Sequence, residues 1–214
     1  LDEALSVNIA SLPLAEIGDA LRRDGHPPLY YWLLHGWMKI FGTTDTAVRA
    51  LSGVFGALSL PLAYAAGRRR AGQAAGLCVL ALTAITPWAV RYATEARMYS
   101  LVVLLVFAGW LLADDLLDRP SRWRWSALAM LTGAALLTHW VLYLVVAAVV
   151  LLAWRWRRAG DSSRSGCLRV ATSLAGGAAL FAPWVPSFLA QAARTGTPWA
   201  SPGRPTAAVT ELLG

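Results

Sequence analysis

Charge is scarce in this chain. Of 214 residues only 14% are Asp, Glu, Lys or Arg, 57% are hydrophobic, and the mean hydropathy is +0.50. So little polar side chain, combined with long apolar runs, excludes an ordinary water-soluble domain and points to a membrane protein. Cysteine is nearly absent. Cys78 sits inside an apolar run and Cys167 in a basic stretch, so neither a disulfide framework nor a cysteine metal site follows. Acidic residues number 12 against 19 basic ones, but the excess is split into short clusters between apolar runs. With no basic face and no RNA-binding motif, that placement marks membrane topology and argues against nucleic acid as a partner. No leader, soluble-type repeat or low-complexity tract is visible. Leu1 is not an initiator and "TELLG" carries no stop pattern, so the chain is expected to be a piece of a longer protein with at least one span before Leu1.

What is abundant is apolar and aromatic. Eleven tryptophans suit a chain whose rings sit at membrane–water boundaries. "SLPLAEIGDALRRDG" places Leu14, Ile17 and Leu21 at helical spacing, with Pro13 in the first turn and Gly25 as a stop. The expected product is an amphipathic helix on a membrane surface. Leu29 to Phe41 is a second helix, rich in aromatics, but a spanning helix needs about 20 residues and this one stops short. "GTTDTAVR" (Gly42 to Arg49) is a polar break.

Ala50 to Gly67, Gly72 to Trp88 and Met98 to Ala113 read as spans, with Asp114 to Trp125 as a polar connection. Ser126 to Trp154 as one straight helix would be about 43 Å long, too long for a hydrocarbon core of about 30 Å. Two shorter spans with His139 near their tip fit better. Arg155 to Arg169 is a basic loop, Val170 to Pro186 a final span, and a polar tail follows. The organisation is an outer loop with two juxtamembrane helices (1–49), a helical domain of about six spans (50–186), and the start of a further outer loop (187–214). One side of this zigzag collects Arg68 to Arg70, then Arg119, Arg122 and Arg124, then the arginines from Arg155 to Arg169. That side has eleven basic residues against four acidic ones, whereas the other has eight of each. The arginine-rich side is therefore expected to be cytoplasmic.

The outer side carries the groups that can do chemistry. Asp2-Glu3 reads either as a helix start, where acids complement the dipole, or as a general base or divalent-cation site. In "PWAVRYATEARMYS", a continuous helix would put Trp88, Tyr92, Glu95 and Tyr99 on one face. Arg91 and Glu95 at i, i+4 would either pair with each other or serve a ligand. Three ionisable groups (Arg91, Glu95 and Arg97) where two spans meet are costly unless used or solvated, and arginine beside aromatic rings suits a phosphate. His26-Pro27-Pro28 holds a histidine at the mouth of the aromatic helix, as an exposed capping residue or as a phosphate contact. His35 is expected to pack. His139 is a weaker substrate-binding candidate.

Taken in order, Asp2-Glu3, "HPPLYYWLLHGWMKIFG", "ALSLPLAYAAGRRRAGQAAGL" and "YATEARMYSL" resemble the membrane glycosyltransferases of the GT-C class, in the dolichyl-phosphate-mannose protein mannosyltransferase-like group. The resemblance covers most of residues 1 to 155. It implies an all-α polytopic membrane helical bundle with outer juxtamembrane helices, of which the short aromatic helix would be the second. It also implies a multi-pass protein of the plasma membrane with an extracytoplasmic active site. There a mannose-like sugar would pass, with inversion, from a polyprenyl-phosphate carrier to a protein, lipid or glycan acceptor. Asp2 matches the position of the catalytic base, Glu3 its acidic neighbour, and Glu95 an acidic position that shapes the acceptor or metal site. Some relatives have Lys where this chain has His26, and that Lys contacts the carrier phosphate. Arg97 and Tyr99 belong to the same motif, and Arg91 and His139 join them as substrate-binding candidates. Relatives differ in metal dependence, so the resemblance leaves a divalent cation open, and Asp2, Glu3 and Glu95 would be its ligands. The rival readings are a transporter or carrier flippase, favoured only by Gly176-Gly177 in the last span, and a non-enzymatic subunit of an envelope assembly.

Overall fold

A computed structural model describes residues 2–158 and 161–192; the side chains of Asp2, Arg23, Asp161, Ser162, Ser163, Gln191 and Ala192 lie outside the description, as do residues 193–214 of the expected tail. Among the described residues every regular element is helical: α1 (Asp2–Ala10), α2 (Leu14–Asp24), α3 (Leu29–Phe41), α4 (Asp45–Ile85), α5 (Pro87–Ala93), α6 (Tyr99–Asp118), α7 (Arg122–Thr138), α8 (Leu142–Arg158), α9 (Asp161–Leu180), a 3-10 turn (Ala182–Trp184) and α10 (Val185–Ala192). The protein is an all-α membrane helical protein. α4 and α6 are long and apolar enough to cross a bilayer, and α9 with the helix after it, bent by 42°, forms a third candidate. α7 and α8 have 17 residues each.

α4 is not one rod. Its dihedrals break at Ala71 and Gly72, and Gly72 has φ +84, a left-handed conformation that glycine adopts without a Cβ clash. A Cβ on Gly76 would lie 2.9 Å from the Tyr64 ring, although twelve residues of straight helix would separate the two by about 18 Å. The helix therefore folds back on itself just after Arg68-Arg69-Arg70, and its two limbs correspond to the two spans expected there.

Several boundaries differ from the sequence reading. The polar connection expected over Asp114 to Trp125 shrinks to three residues, because α6 continues to Asp118 and α7 starts at Arg122. Asp114 and Asp115 remain helical because Arg70 and Arg69 bind them at 2.7 and 2.8 Å. The basic loop shrinks likewise: α8 runs through Arg158 and α9 begins at Asp161. Arg169 explains why that side is held together, since its guanidinium donates to the carbonyls of Leu116 and Leu117 in the last turn of α6, a cation placed on a helix C-terminus.

The amphipathic helix α2 ends where expected. Gly25 has φ 97 and its N–H returns to the Leu21 carbonyl. Its apolar stripe is narrower than the spacing implied. Ile17 and Leu21 are completely buried, but Leu14 is 58% exposed. The buried pair does not face lipid: it joins a protein core with Ile9, Tyr30, Leu34, Val48, Leu51, Met98 and Trp184. A second, smaller core of Leu116, Leu128, Val170 and Leu174 lies at the arginine-rich end. α6 runs between the two, and its 20 residues span about 30 Å.

Candidate active site

The site grows from the segment between α5 and α6. The chain does not run as one helix through "PWAVRYATEARMYS", which joins two of the stretches read as spans: α5 stops at Ala93 and Thr94 to Met98 is irregular. Three of the four residues expected on one face still meet. Trp88, Tyr92 and Tyr99 pack ring against ring, with centroids 4.1 to 6.0 Å apart. Glu95 is not part of that cluster; its carboxylate accepts from Arg91 Nε at 2.8 Å, the i, i+4 pairing weighed from the sequence.

The break in the helix leaves backbone groups to be satisfied, and the chain's first helix does so. Glu3 Oε1 accepts from the buried Ala96 N–H at 2.7 Å and from Arg49 Nε at 3.1 Å, while Oε2 accepts from Arg49 Nη2 at 2.8 Å. Burial alone raises the Glu3 pKa, but the Ala96 N–H and the Arg49 guanidinium outweigh it and hold the carboxyl below its ordinary range. On the other side of the loop, the Ser52 hydroxyl donates to the Arg97 carbonyl at 3.1 Å. Having spent its proton there, Ser52 accepts from the Tyr30 hydroxyl 3.0 Å away. α1 and α3 are tied together by His35, whose Nδ1–H donates to the Ala10 carbonyl at 2.7 Å, so His35 is structural. α1, α3, α4 and the α5–α6 loop thus form one hydrogen-bonded unit.

Around it gather most of the remaining candidates. Arg97 lies over the Tyr99 ring, 5.3 Å from its centroid, and its Nη2 reaches the Tyr99 hydroxyl at 3.5 Å. Tyr99 meets His139 edge-on at 5.3 Å. His139 caps α7 at the break before α8; burial first, then the positive charges of His26 and Arg97, push its pKa down to about 4. Its Nδ1 is buried without a partner. His26 Nδ1 is 2.9 Å from Asp24 Oδ2, and its ring stands 6.3 Å from that of Tyr31. Burial, then the Asp24 charge, push the Tyr31 hydroxyl up to about 12. Trp140 donates to the Gly25 carbonyl at 3.1 Å, pinning the turn before His26 to the α7–α8 connection. His26, Arg97, Tyr99 and His139 therefore converge, Glu3 reaches the same loop from below, and Arg91 and Glu95 pair at its edge. The side chain of Asp2 lies outside the described residues.

Sequence reasoning missed Asp24, Arg49, Tyr31 and Trp140. Only Arg49, an isolated cation on the acid-bearing side, left a trace in the pattern. Among the described residues no three Asp, Glu, His or Cys side chains gather as metal ligands. Glu3 and Glu95, two of the three carboxylates suggested for a cation, are each held by an arginine. Gly176-Gly177 does not break α9. A Cβ on Gly177 would lie 2.5 Å from the Ala129 carbonyl, so the glycine lets α7 and α9 approach. The feature that favoured a transporter is a helix contact.

The fold, with this polar cluster at one end of apolar helices, defines the class of an all-α membrane helical protein. The family model described as dolichyl-phosphate-mannose-protein mannosyltransferase matches residues 25–186, about three quarters of the chain, and the chain belongs to that family. It is accordingly a membrane glycosyltransferase of GT-C type. No curated protein and no solved structure matches it.

Proposed function

We propose that the protein transfers a mannose-like hexose from a polyprenyl-phosphate carrier to an acceptor hydroxyl at the outer face of the plasma membrane. The observation that carries this reading is the 2.7 Å hydrogen bond from Ala96 N–H to Glu3, which brings the Asp2-Glu3 helix onto the loop bearing Arg97. In the proposed topology the two limbs of α4, then α6, α7, α8 and α9, make six crossings. Arg69, Arg70, Arg124 and Arg169 cluster with the C-terminal end of α6 on the cytoplasmic side, about 30 Å from Tyr99. α3 would lie half-embedded. Tyr30, Tyr31, Leu34 and Met38 face the protein, and the exposed Trp32, Leu33, Ile40 and Phe41 face lipid, where an isoprenoid chain would run.

In the reaction, Asp2 takes the proton from the acceptor hydroxyl as its oxygen attacks the anomeric carbon. The bond from that carbon to the phosphate oxygen breaks, and its electron pair leaves with polyprenyl phosphate. A single displacement inverts the anomeric centre. The leaving group is already an anion, so it needs charge stabilisation more than a proton, and His26 and Arg97 supply it. Glu3, with both oxygens engaged, serves to place Asp2 against the loop. Arg91 and Glu95 border the acceptor's approach, and His139 packs Tyr99 beneath the sugar. If a divalent cation takes part, Asp2 would be its principal carboxylate.

The test is a full-length enzyme in membranes given radiolabelled polyprenyl-phosphate mannose. The expected result is label in an acceptor with the carrier sugar consumed, and loss of transfer in Asp2→Asn with insertion unchanged. Relocation of the carrier sugar without consumption would mark a flippase. Undiminished transfer by Asp2→Asn would remove Asp2 from its role.

A further inference from the structure

The turn that carries His26 is restrained far more than an exposed capping histidine needs to be. Gly25, in its left-handed conformation, reverses the chain so that Asp24 and His26 lie side by side, with Nδ1 and Oδ2 2.9 Å apart. The pair is mostly buried, with side-chain exposures of 27% and 19%. Trp140 holds the Gly25 carbonyl from one side, and Tyr31 lies against the imidazole from the other. Pro27 and Pro28, both fully buried, fix the chain after it. A carboxylate is an obligate acceptor here, so Nδ1 must carry a hydrogen. The other ring nitrogen, Nε2, makes no hydrogen bond among the described residues.

We propose that Asp24 is a positioning residue for sugar transfer: by accepting from His26 Nδ1–H it fixes the ring's orientation, so that the Nε2–H of the protonated ring is held out to donate to the carrier phosphate. This rests on the phosphate role of His26 proposed above. Among the described residues, Asp24 from α2 and Tyr31 from α3 face the ring, and His139 from the α7–α8 connection feels its charge together with that of Arg97. Asp24 is the anion in contact with the imidazole among the described residues. It holds the ring in place without touching substrate. Histidines that ligate metals through one nitrogen are oriented through the other, and loss of that partner costs about 10- to 100-fold; the same restraint on orientation applies to a ring that donates to phosphate.

The experiment uses the full-length protein in lipid nanodiscs, with Asp24→Asn, His26→Lys and the double variant. Asp24→Asn keeps the size but replaces the carboxylate with a neutral amide that can turn its NH2 toward Nδ1 and so no longer holds the ring in one orientation; it is expected to raise KM for the polyprenyl-phosphate sugar about tenfold with kcat little changed. A lysine has no ring to orient, so Asp24→Asn on the His26→Lys background is expected to change KM less than about twofold. Nitrogen-15 histidine spectra, with the His26 signal assigned by its loss in His26→Lys, should show a hydrogen-bonded Nδ1–H that disappears in Asp24→Asn. An equal tenfold cost on both backgrounds would overturn the proposal, since Asp24 would then act through the fold. So would a wild-type spectrum without the Nδ1–H. If the spectral change occurs while KM stays fixed, the Asp24–His26 coupling stands and the phosphate role of His26 fails.

Discussion

Glu3 offers the sharpest measurement, because a clamp and a catalytic base respond differently to the same substitutions. Its carboxylate makes a two-point contact with Arg49, whose side chain is 50% exposed, and accepts from the N–H of the fully buried Ala96. The ion pair, with its arginine exposed, is screened by solvent and contributes little. The N–H is worth more, since a buried donor left without an acceptor costs about 1–3 kcal/mol. Glu3→Ala should therefore destabilise by about 2 kcal/mol. Glu3→Gln keeps one acceptor oxygen for Ala96 and should cost under about 1 kcal/mol. Because the folded carboxyl is held below its ordinary pKa, the clamp is fully present above pH about 4.5 and is lost as pH falls through the folded value. Thermal unfolding of the purified protein measures the ladder from wild type through Gln to Ala, and Arg49→Met on each background isolates the pair. Transfer rates measured alongside discriminate the roles. A positioning Glu3 leaves Glu3→Gln with most of its activity. A general base would lose on the order of 10²–10⁴-fold with no matching loss of stability. That pattern, or an Ala variant as stable as wild type, would refute the reasoning.

The remaining expectations concern the same unit. Ser52→Ala should destabilise by about 2 kcal/mol, because it strands the Tyr30 hydroxyl and the Arg97 carbonyl together. Tyr30→Phe should cost less, as Ser52 keeps its bond to Arg97; denaturation of the two variants side by side checks the order. His139 is held neutral, so the unfolded chain binds the extra proton and stability falls as pH drops from about 6.5 toward about 4. The loss between pH 7 and pH 5 should be on the order of 2 kcal/mol, and His139→Gln should flatten it. A wild-type melting profile that is flat over that range would contradict the burial of the ring.

Sequence pattern alone determined the class of molecule. Apolar run lengths, arginine clusters and turn residues mark where helices begin and reverse, because propensity, glycine at positive φ and the cost of burying charge act locally. The left-handed Gly25, the turn after Arg70 and the break at His139 were all legible for that reason, as was the short helix of Leu29 to Phe41. Helix ends were misjudged where long-range ion pairs intervene: Asp114 and Asp115 look like a loop until Arg70 and Arg69 are known to lie opposite. Leu14 and Ile17 share a spacing but not an environment, since burial depends on which helix arrives at the face. The site divides the same way. Its histidine and arginine were visible from motif and composition, but their partners were not. Glu3 and Ala96 are 93 residues apart in sequence, and Asp24 gains meaning only when Trp140 and Tyr31 close around its turn. Chemistry of single residues is written along the chain. Which acceptor each donor finds is decided by packing, because hydrogen bonds fall off over a few tenths of an ångström and only the assembled helices fix distances that finely.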